Sequence, residues 1–186
     1  MDYEIIKYDA KKINVSKEDI NEITAIYEES FPNDEKDFTI DQILKKIEKD
    51  DRLQLFILYA DPLETGKKRV VSFILNIIDE KFVYTVFLAA KKQFGIKGYG
   101  KKLVKYSMDE LGKNKFKFFL AEKVEDTAEN KEQRRRRQVY FHRFGLYETG
   151  FDTTINGVTF STYAKGEATK EDIYKYSKIV SEVYYS

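Results

Sequence analysis

The sequence predicts an α+β fold: a single domain, residues 1–186, on a central, mostly antiparallel twisted sheet flanked by helices, with an extra C-terminal helix. Three observations carry this. Three strand-like runs, Leu53–Ala60, Val70–Ile78 and Phe82–Ala90, follow one another on short connections, so consecutive strands pair as hairpins. Segments with apolar residues at helical spacing lie before and after this group. Near the end, Phe151–Thr154 and Val158–Ala164 flank Asn156–Gly157, the dipeptide most favourable to a tight hairpin.

Each element has its own signal. Tyr3–Tyr8 alternates as an edge strand. Ser16, three residues before Asp19, is a capping signal; Ile20, Ile23, Ala25, Ile26 and Tyr27 follow at helical spacing, and Pro32 ends the helix. Thr39–Asp50 (TIDQILKKIEKD) is a second, shorter amphipathic helix, with SFPNDEKDF as the loop between the two. The turn Asp61–Lys68 contains both Pro and Gly, and DEK joins the next two strands. Leu103, Val104, Met108 and Leu111 mark a helix that Gly112 closes. Lys115–Glu122 is a further strand. The polar stretch 125–138 passes into a helix whose apolar stripe is Val139, Phe141 and Phe144, stopped by Gly145. Lys170–Ser186 is a terminal helix with Ile173, Ser177, Val180 and Tyr184 on one face; its tyrosines pack on the sheet or line an oligomer contact, in a monomer or homodimer.

Composition excludes several classes. Hydrophobic residues at 42% and aromatics at 15% supply a core and argue against disorder. A net charge of +1 gives no global pull towards nucleic acid or an anionic membrane. The absence of cysteine removes disulfides, thiolate metal sites and an acyl-cysteine intermediate. His142, the single histidine, does not make a metal site by itself, so no metal is expected. The run Arg134–Arg137, beside EDTAENKEQ, is read as a solvated helix end salt-bridged to acids a turn away rather than as a nucleic-acid patch. The N-terminus lacks a basic head followed by an apolar stretch, and no apolar run approaches the ~18 residues of a span. A cytoplasmic protein is expected.

The informative segment is FLAAKKQFGIKGYGKKL, Phe87–Leu103, where a strand meets a helix through Gly95, Gly98 and Gly100. A helix N-terminus carries unpaired N–H groups and partial positive charge, and glycine lets an anion approach them. Lys97, Lys101 and Lys102 add cations. The segment therefore reads as a phosphate cradle, with a glycine-rich turn beside a solvated lysine face as the alternative. It is one residue short of a P-loop and lacks that motif's hydroxyl. Nor does it match a dinucleotide fingerprint, since Gly-x-x-Gly-x-Gly follows three consecutive strands.

Leu88-Ala89-Ala90, a four-residue spacer, Gly95-Ile96-Lys97-Gly98-Tyr99-Gly100 and Leu103 in register resemble the signature of the GNAT superfamily of N-acetyltransferases. The order of elements is similar as well, and the resemblance covers roughly Ile5 to Ala164. It implies an enzyme that moves an acetyl group from acetyl-CoA, its cosubstrate, to a primary amine of a small molecule or peptide by direct transfer. Leu88, Ala89 and Ala90 with Gly95, Ile96, Lys97, Gly98, Tyr99, Gly100 and Lys101 are the implied cofactor-binding residues. Part of the arginine run is implied to lie near a coenzyme phosphate.

Two departures qualify the pattern. Gly95 stands where the family carries Arg or Gln, which leaves backbone contacts only. Counting back from Gly145 puts Phe141 at the family's catalytic tyrosine, with Tyr140 beside it. Tyr140 is the candidate acid for the departing thiolate, with water as the alternative. Glu122 is the candidate base for the amine proton, ahead of Glu28 and Glu29. The departures also keep a second reading open, a catalytically weak acyl-CoA-binding sensor or interaction module.

Overall fold

A computed structural model describes the chain except Met1, Ile13, residues 32–35, Thr127, Glu129, Asn156 and the side chain of Ile96. The expected helix stop at Pro32 and the Asn156 half of the hairpin turn thus lie outside the described residues.

Capping side chains start the helices on one face of the sheet. Ser16 accepts from the Asp19 N–H at 3.1 Å and opens α1 (Lys17–Ser30), which buries Ile23, Ile26 and Tyr27. Thr39 and Gln42 form a reciprocal capping box for α2 (Ile40–Ile47), which is shorter than expected because residues 48–50 already turn towards the sheet. Strands β1 (Tyr3–Tyr8), β2 (Leu53–Ala60), β3 (Arg69–Ile78) and β4 (Phe82–Ala90) form successive antiparallel pairs. β2 and β3 are buried along most of their length because both of their faces are covered.

A 3-10 turn, Lys92–Lys97, leads into α3 (Tyr99–Asp109). The helix ends before Gly112, which lies in the following turn instead of closing the helix. Then come β5 (Phe116–Glu122), α4 (Lys131–Arg143), β6 (Tyr147–Ile155), β7 (Val158–Lys165) and α5 (Lys170–Tyr185). The seven strands are ordered β1-β2-β3-β4-β5-β7-β6, and only β4–β5 is parallel.

Helices cover both faces. Leu55, Ile57, Phe73, Phe82 and Phe118 face α1, α2 and α5, whereas Phe56, Leu58 and Ile74 alternate with them to face α3. α5 is packed as expected, but its buried face is Ile173, Tyr176, Val183 and Tyr184. The expected members Ser177 and Val180 lie at the edge of that face. The stripe expected on α4 also needs correction. Phe141 and Phe144 pack as expected, but Val139 is 52% exposed and Tyr140 packs in its place. No described helix is long and apolar enough to cross a membrane.

Candidate functional site

β4 and β5 part company halfway. They pair at Phe82–Phe116, Val83–Lys117 and Tyr84–Phe118, and there the ladder stops. β4 nevertheless stays on β3 as far as Ala90, and β5 stays on β7 as far as Glu122. The two strands therefore diverge into a wedge. A register shift lies at the parting point: Thr85 faces Asn76 and Phe87 faces Leu75, which leaves Val86 as an extra residue. Such a bulge bends and twists its strand, which turns the outer half of β4 away from β5.

The glycines sit at the mouth of this wedge. Gly98 adopts φ +69, a left-handed conformation that β-carbon sterics disfavour in other residues, and a Cβ there would meet nothing within 4 Å. Gly100 has no such strain, and a Cβ there would stand 3.5 Å from the Ala90 Cβ, an ordinary contact where α3 crosses β4. The opening N–H groups of a helix have no acceptor within it. In α3 the Lys102 N–H turns back to the Gly98 carbonyl at 3.2 Å, and the Gly98 N–H donates to the Gly95 carbonyl at 3.2 Å, so the N–H groups of Gly100 and Lys101 lie at the helix start. Gly95 lies inside the 3-10 turn with open space around it.

The lysines divide. Lys97 donates to the Pro62 carbonyl, and Lys102 lies over the Tyr3 ring at 4.1 Å. Both were expected to face an anion, but each is drawn to a nearer partner. Lys101 is exposed at the helix start. Tyr99 is 2% exposed within the core beneath α3, and Ile96 contributes backbone alone to what is described. Along β4, Leu88 packs towards α3 and α4, while Ala89 is buried and its carbonyl accepts from Ser72 Oγ at 2.7 Å.

α4 forms the other wall. Successive helical residues lie ~100° apart, so Arg134, Arg137, Phe141 and Phe144 share the face towards β5. The Phe141 ring meets Phe119 of β5 at 4.6 Å and Tyr163 of β7 at 5.1 Å, and Gln138 donates to Glu148 of β6 at 3.3 Å. That flank looks away from the wedge. Tyr140 is on the opposite flank, against Phe144 at 5.0 Å, in the apolar cluster that holds Val104 and Met108 of α3. Burial pushes its phenol up to about 12, so it stays protonated at neutral pH.

Glu122 ends β5 at the same wall. Its side chain is 9% exposed and accepts from Arg134 Nη2 at 2.8 Å and Arg137 Nη2 at 2.5 Å. Asn130 and the Lys123 carbonyl hold Arg134 in turn, at 2.7 Å each. Sequence reasoning placed these arginines in solvent and missed the pairing. The signal was available, because residues three apart on a helix share a face and present two guanidiniums together. Arg135 does pair locally, with Glu132 at 3.0 Å, as expected. His142 packs at the end of α4, its Nδ1 3.0 Å from the Leu146 carbonyl. Among the described residues no group of three His, Cys, Asp or Glu side chains is placed to hold a metal.

A separate cleft, lined in part by Met108, Asp109, Lys117 and Lys165, lies at the closed end of the wedge. Lys117 is 5% exposed there and donates to the carbonyls of Gly112, at 3.0 Å, and Lys115, at 3.3 Å. Its ammonium thus satisfies the turn after α3 rather than a ligand.

Sequence comparison finds no matching family model and no matching curated protein. Structures do match. A Bacteroides thetaiotaomicron protein assigned to the GNAT family of acetyltransferases superposes with a TM-score of 0.67 at 14% identity, over 97% of each chain. The chain has the GNAT fold. The ribosomal-protein-S18-alanine N-acetyltransferase of Escherichia coli aligns at TM-score 0.57 and 13% identity, over 90% of this chain and 97% of its own. The N-acetyltransferase PseH of Campylobacter jejuni, in complex with acetyl coenzyme A, aligns at 0.56 and 14%, over 88% and 99%. In this GNAT fold the parted strands, the Gly98 turn and α4 lie next to one another, and positions 88–90, 98, 100, 101, 122 and 140 belong to these elements, whereas Tyr99 is in the core beneath α3.

Proposed function

We propose that this chain transfers an acetyl group from acetyl-CoA to a primary amine of a small molecule or peptide by direct attack, without a covalent enzyme intermediate. The observation that carries the reading is the wedge between β4 and β5, which opens beside a helix N-terminus kept clear of side chains at Gly98. The unpaired outer half of β4 offers backbone groups to an extended arm, and the start of α3 offers N–H groups and partial positive charge to a pyrophosphate. Leu88, Ala89 and Ala90 are assigned to the first role. Gly95, Ile96, Lys97, Gly98, Tyr99, Gly100 and Lys101 are assigned to the second, mainly through backbone, with Lys101 as the cation.

Three chemical needs follow for such a transfer: a neutral amine, a polarised carbonyl, and a proton for the leaving sulfur. Tyr140 is assigned the proton donation, since a phenol held protonated on the wedge-facing flank of α4 suits a general acid. Glu122 is assigned the amine proton, through water, and its two arginine partners fix its position at the wall. N–H groups of the unpaired strand edge polarise the carbonyl.

A second reading, an acyl-CoA-binding sensor, draws on Phe141. At the position where the resemblance places a tyrosine, an apolar ring packs on Phe119 and Tyr163. The deciding experiment measures thiol release from acetyl-CoA across primary amines and peptides. Turnover with any acceptor supports the transferase. Tight acetyl-CoA binding without turnover supports the sensor.

A further inference from the structure

Phe82, Phe87 and Ala89 of β4 all face α1, α2 and α5, and Tyr84 packs on the same side. Side chains alternate along a strand, so even-numbered and odd-numbered residues share a face only if one residue is extra between them. The apolar pattern therefore demands a bulge between Tyr84 and Phe87, but it leaves the place open, at Thr85 or at Val86. The side chain opposite settles it. Asn76 of β3 is 0% exposed, two residues beyond Ile74 on the face that α3 covers. Its Oδ1 accepts from Thr85 Oγ1 at 2.8 Å. Thr85 is thereby held opposite Asn76, and Val86 becomes the extra residue. Thr85 also follows Tyr84, the last residue of β4 on β5, so this hydrogen bond sits where the wedge begins.

This polar place is costly. Among the described residues the buried Nδ2 of Asn76 has no hydrogen-bond partner, so half of the amide is unmet where leucine would pack without penalty. Ser107 of α3 adds to the cost. A Cβ at Gly100 would meet Ala90 at 3.5 Å and one at Gly112 would meet Val83 at 3.0 Å, so α3 and the turn after it run back along β4. Ser107 is two turns, ~10 Å, from Gly100 on the same side of the helix, which sets it over the middle of β4. It is 0% exposed, and its hydroxyl too has no partner among the described residues. Polar groups that a core tolerates at a loss are expected where function requires them.

We propose that Asn76 and Thr85 are positioning residues: their hydrogen bond pins the bulge at Val86 and so fixes where β4 leaves β5. Stability is given up at Asn76 in exchange for a strand edge in one defined place. Without the bond the extra residue moves to Thr85, and the N–H and C=O groups of the outer half of β4 shift with it. The part of the inference that concerns coenzyme rests on the acetyltransferase reading, since that edge is the one assigned to the extended arm. The pinning of the bulge does not rest on it.

The test compares wild type, Asn76→Leu with Thr85→Val, and Thr85→Ser by amide hydrogen exchange over residues 84–88, urea unfolding and calorimetric titration of acetyl-CoA. Replacing both partners by apolar groups of similar shape leaves no new unmet atom, so the double variant should be at least as stable as wild type. Its exchange pattern over residues 84–88 should nevertheless change, and acetyl-CoA should bind about tenfold more weakly. Thr85→Ser keeps the hydroxyl and should retain the wild-type pattern and affinity. A merely structural pair would lower stability and leave the pattern in place. An unchanged exchange pattern in the folded double variant overturns the proposal, whatever the affinity. Should the double variant not fold, Thr85→Val alone is read in the same way. A changed pattern in a protein whose wild type does not bind acetyl-CoA upholds the pinned bulge and contradicts the transferase reading.

Discussion

Glu122 at the end of β5 and Arg134 in the first turn of α4 face each other across 2.8 Å, each side chain about nine-tenths buried. The pair fixes α4 against β5 where the sheet has opened, and Tyr140 depends on the placement of that helix. Breaking one partner of a buried ion pair costs about 3–5 kcal/mol. Arg137, the second partner, is 41% exposed and screened, so Glu122→Gln should destabilise by about 2–3 kcal/mol in urea unfolding. A base role adds a loss of kcat measured well below the unfolding transition. Loss of stability with unchanged kcat identifies Glu122 as an anchor only.

Tyr140→Phe removes one hydroxyl and leaves the ring contacts with Phe144 intact. General acid assistance is typically worth ~10²–10⁴ in rate, so turnover should fall at least about tenfold while coenzyme affinity holds. Unchanged turnover assigns protonation of the sulfur to water or to another group.

Alkaline pH should destabilise the protein through its buried phenols. The folded value of Tyr140 is raised to about 12 by burial, against an ordinary value near 10, and burial also raises Tyr27, Tyr59, Tyr84 and Tyr184. A group raised on folding contributes its full stability below the unfolded value and loses it as pH climbs towards the folded one. Stability should hold to about pH 10 and fall beyond it. Tyr140→Phe should show a shallower decline, checked by thermal melts between pH 8 and 12.

Much of the fold was legible because its signals are local. Apolar runs on short connections gave β2, β3 and β4, and the amphipathic spacing from Thr39 onwards gave α2. The glycine turn was legible for the same reason. The wedge was not, because it arises from the single extra residue at Val86, a matter of register between strands. α4 was read poorly because its inward face is built from Arg134, Arg137 and Phe141, whose burial is decided by Glu122 and Phe119 on another element. Lys97 and Lys102 looked like anion ligands until folding brought the Pro62 carbonyl and the Tyr3 ring to them.

The terminal helix is part of the core. Tyr176 is 9% exposed and its ring lies 4.8 Å from Phe82 and 6.0 Å from Phe116. Tyr176→Ala should cost about 3–5 kcal/mol, and Tyr176→Phe far less. Equal stability of the two variants in denaturant titration would place α5 outside the cooperative unit.

The central claim is a coenzyme cradle at the start of α3, and calorimetric titration of acetyl-CoA into wild type and Gly98→Val tests it most directly. Valine at φ +69 is strained and fills the open space at the helix start, so the variant is compared at a temperature where circular dichroism shows it folded. Saturable binding to wild type, weakened by at least about tenfold (about 1.4 kcal/mol) in Gly98→Val, is the predicted result. Equal affinity in the folded variant, or no binding to wild type, would contradict it.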